Sequence, residues 1–131
     1  YELSLGRNNK EVAAEDNKER VLNAVPADFV LITNEESETS CIYHFQNVHS
    51  EEFEVMIYYI SETNAATVTI DTENAEVREE NLDGQRVSIA HKNNYYQIFW
   101  LEDTTNLMFV VYGKDISFDV LQSVAENIIR A

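Results

Sequence analysis

Cysteine, proline and glycine are all scarce in this chain: one, one and three of its 131 residues. The lone Cys41 excludes an intrachain disulfide, and the count leaves the redox compartment open. It lies in an apolar run, which predicts a buried, unreactive thiol. With so few glycines and only Pro26, the turns must be made by Asn, Asp and Thr, whose side chains tolerate or stabilise turn conformations. Cations are scarce too. Nine Lys and Arg stand against 24 Asp and Glu, a formal net charge of −15. That field repels a phosphate backbone, and no basic cluster offsets it, so nucleic acid is not an expected partner. A basic patch for anionic lipid is missing for the same reason. No apolar run reaches the length of about 20 residues that a spanning helix needs. There is no nucleophile elbow, no glycine-rich phosphate loop and no Cys/His pattern with ligand or nucleophile spacing.

A hydrophobic content of 44% with 11% aromatic residues supports one folded domain, and this length suffices for a sizeable core. The clearest patterning lies in the last third. Leu82-Asp83-Gly84-Gln85 predicts a two-residue hairpin of the primed type, because Asp-Gly tolerates positive φ twice. Arg86 to His91 alternates with Val87 and Ile89 on one face, as a half-buried strand does. Lys92-Asn93-Asn94 is the next turn. It leads to Tyr95-Tyr96-Gln97-Ile98-Phe99-Trp100-Leu101, which is apolar on both faces and reads as a central strand. After the polar break Glu102 to Asn106, Leu107 to Tyr112 is again apolar on both faces. Short connections make these strands an antiparallel meander. Ser117 then caps a helix in which Phe118, Leu121, Val124, Ala125, Ile128 and Ile129 form one stripe.

Upstream, residues 1–25 read as a linker or an N-terminal helix, and residues 26–131 as a single domain. Leu3 and Leu5 alternate too briefly to assign. A helix from about Asn9 to Ala24 would place Val21, Leu22 and Val25 together, with Val12 further back. Phe29-Val30-Leu31-Ile32 is the first expected strand, and Asn34 to Ser40 a polar turn. Cys41, Tyr43 and Phe45 line one face of the second. Phe53, Val55, Ile57 and Tyr59 line one face of the third. Thr67 to Ile70 is a candidate short strand, and Asp71 to Glu80 a loop. The fold class is therefore α+β: an antiparallel meander of six or seven strands, a C-terminal helix on one face and a candidate N-terminal helix.

Asp71-Thr72-Glu73-Asn74-Ala75-Glu76-Val77, Leu82-Asp83-Gly84, Phe99-Trp100-Leu101, Ile116 to Leu121 and Val124 to Ile128 together carry a resemblance. They are similar to an uncharacterised bacterial domain family found as the C-terminal domain of anti-sigma-factor-like proteins and lipoproteins of Gram-positive bacteria. The resemblance covers about half of the chain and rests on core and turn positions. It implies an extracytoplasmic location behind a transmembrane or lipid anchor, and no catalytic residues carry over. A start at Tyr1 with no Met fits an excised or processed fragment, whose anchor would lie outside it. Asp119 followed by Val120 departs from the family, which has Glu in the helix's first turn, so no capping box forms.

No metal, cofactor or catalytic residue is expected. His44 and His49, five apart, would point to opposite faces of a strand and lack further ligands. Asp71 to Glu76 offers oxygen ligands but neither the glycine nor the closing Glu of a calcium loop. With 24 carboxylates, chance pairs are expected, so a two-carboxylate hydrolase has no specific support. Met56, Tyr58, Tyr96 and Trp100 are the candidate interaction surface, placed on a sheet face opposite the helix and too apolar to stand bare. The expectation is a non-enzymatic extracytoplasmic sensing or protein-interaction domain of a membrane-attached protein. The alternative is a lipid or small-molecule binder with an apolar pocket between sheet and helix.

Overall fold

The computed structural model describes residues 17–59 and 75–131. The expected alternation at Leu3 and Leu5, the start of the N-terminal helix, the short strand Thr67 to Ile70 and the segment Asp71 to Asn74 lie outside them. Helix α1 covers residues 17–24. Seven strands follow: β1 (Val30–Glu36), β2 (Ser40–Gln46), β3 (Glu52–Tyr59), β4 (Glu76–Leu82), β5 (Gln85–Lys92), β6 (Tyr95–Glu102) and β7 (Leu107–Lys114), and then helix α2 (Phe118–Arg130). The fold is α+β.

All seven strands join one antiparallel sheet in the order β1-β2-β3-β7-β6-β5-β4. It is two meanders fused at their last strands, because β3 and β7 pair along their length from Phe53↔Gly113 to Tyr59↔Leu107. The hairpin between β4 and β5 turns at Asp83 (φ 53°) and Gly84 (φ 88°), the two positive φ values that its Asp-Gly predicts. Ser50, Asn93, Asn106 and Asp115 also take positive φ. Short polar residues thus do most of the turning in a glycine-poor chain.

Two sequence expectations need correction. Residues 76–80 belong to strand β4, not to a loop: all five are exposed on this edge of the sheet, and they pair with β5 from Glu76↔His91 to Glu80↔Val87. Pairing spreads outward from the Asp83-Gly84 turn without needing apolar side chains. The first strand likewise continues through Asn34, Glu35 and Glu36, opposite Tyr43, Ile42 and Cys41. The expected polar turn shrinks to residues 37–39. In it Ser37 Oγ accepts from the backbone N–H groups of Thr39 and Ser40 at 3.2 and 3.1 Å.

Cross-strand partners share a face, so the register assigns every side chain to one of two layers. The helix side collects Cys41, Tyr43, Phe45, Phe53, Val55, Ile57, Val87, Ile89, Ile98, Trp100, Phe109 and Val111, all at 3% exposure or less. On this layer lies α2. Ser117 caps it by accepting from the N–H of Asp119 at 3.2 Å, and its stripe Leu121, Val124, Ala125 and Ile128 is fully buried. Burying each large side chain contributes roughly 1.5–3 kcal/mol, more than propensity supplies in a helix of 13 residues. Helix α1 adds Val21 and Ala24 to the same core.

Arg20 fastens the two helices to the sheet. Its guanidinium meets the Glu102 carboxylate with both oxygens, at 2.6 and 3.1 Å. Its Nε donates at 2.8 Å to the carbonyl of Ile128 in the last turn of α2, which lacks an i+4 partner and otherwise accepts the Ala131 N–H at 3.3 Å. The same group lies over the Phe109 ring, 5.0 Å from its centre. Asn127 Nδ2 adds a bond to the Ala24 carbonyl at 3.2 Å.

Hydrogen bonding from Arg20 is the main cause that holds the Glu102 carboxyl below its ordinary value of 4.5, with burial opposing. A lowered folded-state value stabilises fully above the unfolded one and is lost as pH falls through it. The stability gap between the wild type and Glu102→Gln should therefore be constant above about pH 5 and shrink as pH falls below 4.5, in urea titrations at stepped pH. Gly113 supplies a second test, because a Cβ there would sit 2.5 Å from Ile116 Cγ2 and 3.0 Å from Leu121 Cδ2. Gly113→Ala should lower the unfolding free energy by about 1–3 kcal/mol through overpacking under α2.

Candidate functional site

The opposite face of the sheet carries a different set of side chains. Register places Ile42, Met56, Val110, Phe99 and Ser88 in one row across β2, β3, β7, β6 and β5. Beside it run Tyr58, Met108 and Leu101. On the other side run Glu54, Tyr112, Gln97, Ala90 and Val77. Alternation explains the arrangement: β6 and β7 are apolar at both parities, so whatever does not face α2 faces outward. Val110 is 1% exposed beneath its neighbours, while Leu101 and Val77 are 40% and 51% exposed. Ile42, Met56, Tyr58, Phe99, Met108 and Tyr112 are half-buried.

The centre of this face is uncharged, whereas the chain as a whole carries −15. Its charged side chains lie at the margin: Glu52, Glu79 paired with Arg86, Lys92 and Lys114. Glu54 is the exception. A neutral, aromatic and thioether centre inside a charged rim is the composition of a recognition surface. Polar handles are present within it. The Tyr58 hydroxyl donates to Met56 Sδ at 3.5 Å. The rings of Tyr95 and Tyr112 lie 5.7 Å apart. Burial, then the neighbouring Tyr95 and Glu54, push the Tyr112 phenol up. A groove of about 310 Å³ runs past Ser88, Phe99, Leu101 and Met108 to Glu79 and Arg86.

Of the four residues expected to form an interaction surface, the structure brings Met56 and Tyr58 together on this face. Tyr96 and Trp100 belong to the other layer, which corrects their placement. Trp100 is 3% exposed and stacks on Phe109 with ring centres 5.2 Å apart. Tyr96 stacks on His91 at 4.2 Å and packs on Phe118 of α2 at 4.9 Å. Ile42, Phe99, Met108, Val110 and Tyr112 were not singled out from the sequence. Their signal was the second parity of strands apolar on both faces.

Other clusters are less open. His44 approaches Glu52 at 3.3 Å, and β2 ends before His49, which lies exposed in the following turn. The two imidazoles are thus not opposite faces of one strand. Among the described residues no three His, Cys, Asp or Glu are grouped to hold a metal, and no Asp or Glu is fully buried. Cys41 is 2% exposed, with its sulfur 3.4 Å from the Tyr59 hydroxyl. Burial first, with Cys41 and Glu36 adding, pushes the Tyr43 and Tyr59 phenols well up. No described helix is long and apolar enough to cross a membrane.

The sequence pattern of a domain of unknown function, DUF4367, matches residues 19–128. The chain belongs to the DUF4367 family. The match runs from within α1, next to Arg20, to Ile128, so it takes in most of each helix and the whole described sheet. No curated protein and no solved structure matches this DUF4367 domain.

The two layers predict opposite responses to substitution. Trp100→Ala should cost about 3–5 kcal/mol of unfolding free energy, as loss of a core aromatic does. Tyr58→Ser, on the outer face, should cost under about 1 kcal/mol. Chemical denaturation followed by circular dichroism reads both, without needing the indole.

Proposed function

We propose that this DUF4367 domain is a non-enzymatic protein-interaction or sensing module, acting outside the cytoplasm as part of a membrane-attached, anti-sigma-factor-like protein or lipoprotein of a bacterium. The observation that carries the interaction reading is the neutral outer face, from Ile42 across Met56 and Val110 to Phe99, in so acidic a chain. Apolar patches of this kind are rarely left bare without a partner. The extracytoplasmic, anchored setting rests on the resemblance carried by the turn Leu82-Asp83-Gly84, the aromatic run and the closing helix. An apolar-ligand pocket between sheet and helix has less support, because Leu121, Val124 and Ile128 fill that interface at 0% exposure.

A photocrosslinking amino acid at Met56 or Met108, in the full-length protein made in its own cell, tests both parts. Crosslinks to one defined protein from these positions, and none from Glu126 on the helix side, are the expected result. External protease should remove the domain from intact protoplasts. Equal crosslinking from both sides, or full protection from the protease, would overturn the reading.

A further inference from the structure

The two edges of the sheet are built differently. At one end β4 is guarded by charges of both signs: Arg78 pairs with Glu80, and Glu79 with Arg86 of β5. There each of these charges is already matched by a neighbour of opposite sign, so they offer no unmatched charge to an incoming strand. At the other end β1 spans seven residues, and no described strand pairs with its outer side. Val30 and Ile32 there are 59% and 50% exposed, and no cation lies on the strand. A bulge between Leu31 and Thr33 interrupts the ladder. It leaves Thr33 to Glu36 in regular register, with backbone groups on the outer side that pair with no described strand.

From these features we infer that β1 is a strand-addition site for an extended basic and apolar segment of another protein. The site lies apart from the outer face and does not depend on the function proposed for it. Glu35, Glu36 and Glu38 are exposed and form no salt bridge among the described residues. Every pairing in the sheet is antiparallel, and an eighth strand continuing it would run opposite to β1. Its first residues then meet Glu36 and Glu35 and are basic. Its last residues meet Leu31 and Val30 and are β-branched. Backbone bonds supply the affinity and the two ends set the direction. A second copy fits poorly. Antiparallel self-pairing about Thr33 sets Glu36 against Val30 and Glu35 against Leu31, between two domains of charge −15.

The probe is the acetylated and amidated peptide Lys-Lys-Thr-Thr-Val-Thr-Val, titrated into isotope-labelled domain and read by amide shifts and hydrogen exchange. The expected result is saturable shifts and slowed exchange along residues 30–36, unchanged in Met56→Lys. The double variant Glu35→Lys, Glu36→Lys should bind this peptide at least about tenfold more weakly and prefer the version beginning Glu-Glu. Val30→Lys, a second exposed change, should weaken both peptides. Shifts confined to Phe99, Met108 and Tyr112, no shift at β1 up to about 1 mM peptide, or equal binding of the two peptides by wild type would overturn the inference. So would a concentration-dependent dimer that the peptide does not displace.

Discussion

The pairing of β3 with β7 is the contact on which the rest of the molecule depends. Without it the chain holds a three-stranded and a four-stranded meander, each with a raw edge and half a core. With it, Val55 lies beside Val111 and Ile57 beside Phe109, and one continuous apolar layer exists for a helix to cover. Helix α2 then lies over β6 and β7, next to the junction rather than on either meander's far side. Gly113 exists for this closeness, since its missing side chain is the space that Ile116 and Leu121 occupy. The Arg20 clamp is the polar counterpart. It satisfies a terminal carbonyl of α2 and a carboxylate of β6 from a third element, α1, and a charge so engaged stabilises chiefly because its removal would strand the partner.

The same junction makes the outer face. Joining β3 to β7 sets Met56 beside Val110 and Tyr58 beside Met108, residues that separate meanders would keep apart. The proposed recognition surface is therefore a product of the fold as a whole and not of any one hairpin. The β1 edge is the reverse case, a local feature whose chemistry is set by one strand and its neighbouring turn.

Elements whose cause is local were legible in the sequence. The Asp83-Gly84 hairpin, the strands that follow it and the capped, striped α2 all formed as their patterning required. The edge strands were only partly legible. Residues Glu76 to Asn81 and Asn34 to Glu36 have little apolar alternation, because a strand paired on one side and solvated on both faces has nothing to bury. Face assignment failed at Tyr96 and Trp100 for a related reason. In β6 the set Tyr96, Ile98, Trp100 is as apolar as Tyr95, Phe99, Leu101, so only the register with β7 decides which set meets the helix. The role of Arg20 was hidden as well. It is one charge in a charged segment, marked only by standing beside Val21 and one helical turn before Ala24.

Strand β7 is the last strand in the sequence and the middle one in the sheet. During synthesis the ribosome must therefore release all the other strands of this domain before its centre can be laid down, and neither meander can close its core while it waits. Loss of the final strand and helix would remove the keystone rather than a border. A domain so ordered stays open until its last strand arrives, and the long-range closure of β3 on β7 becomes its slow step.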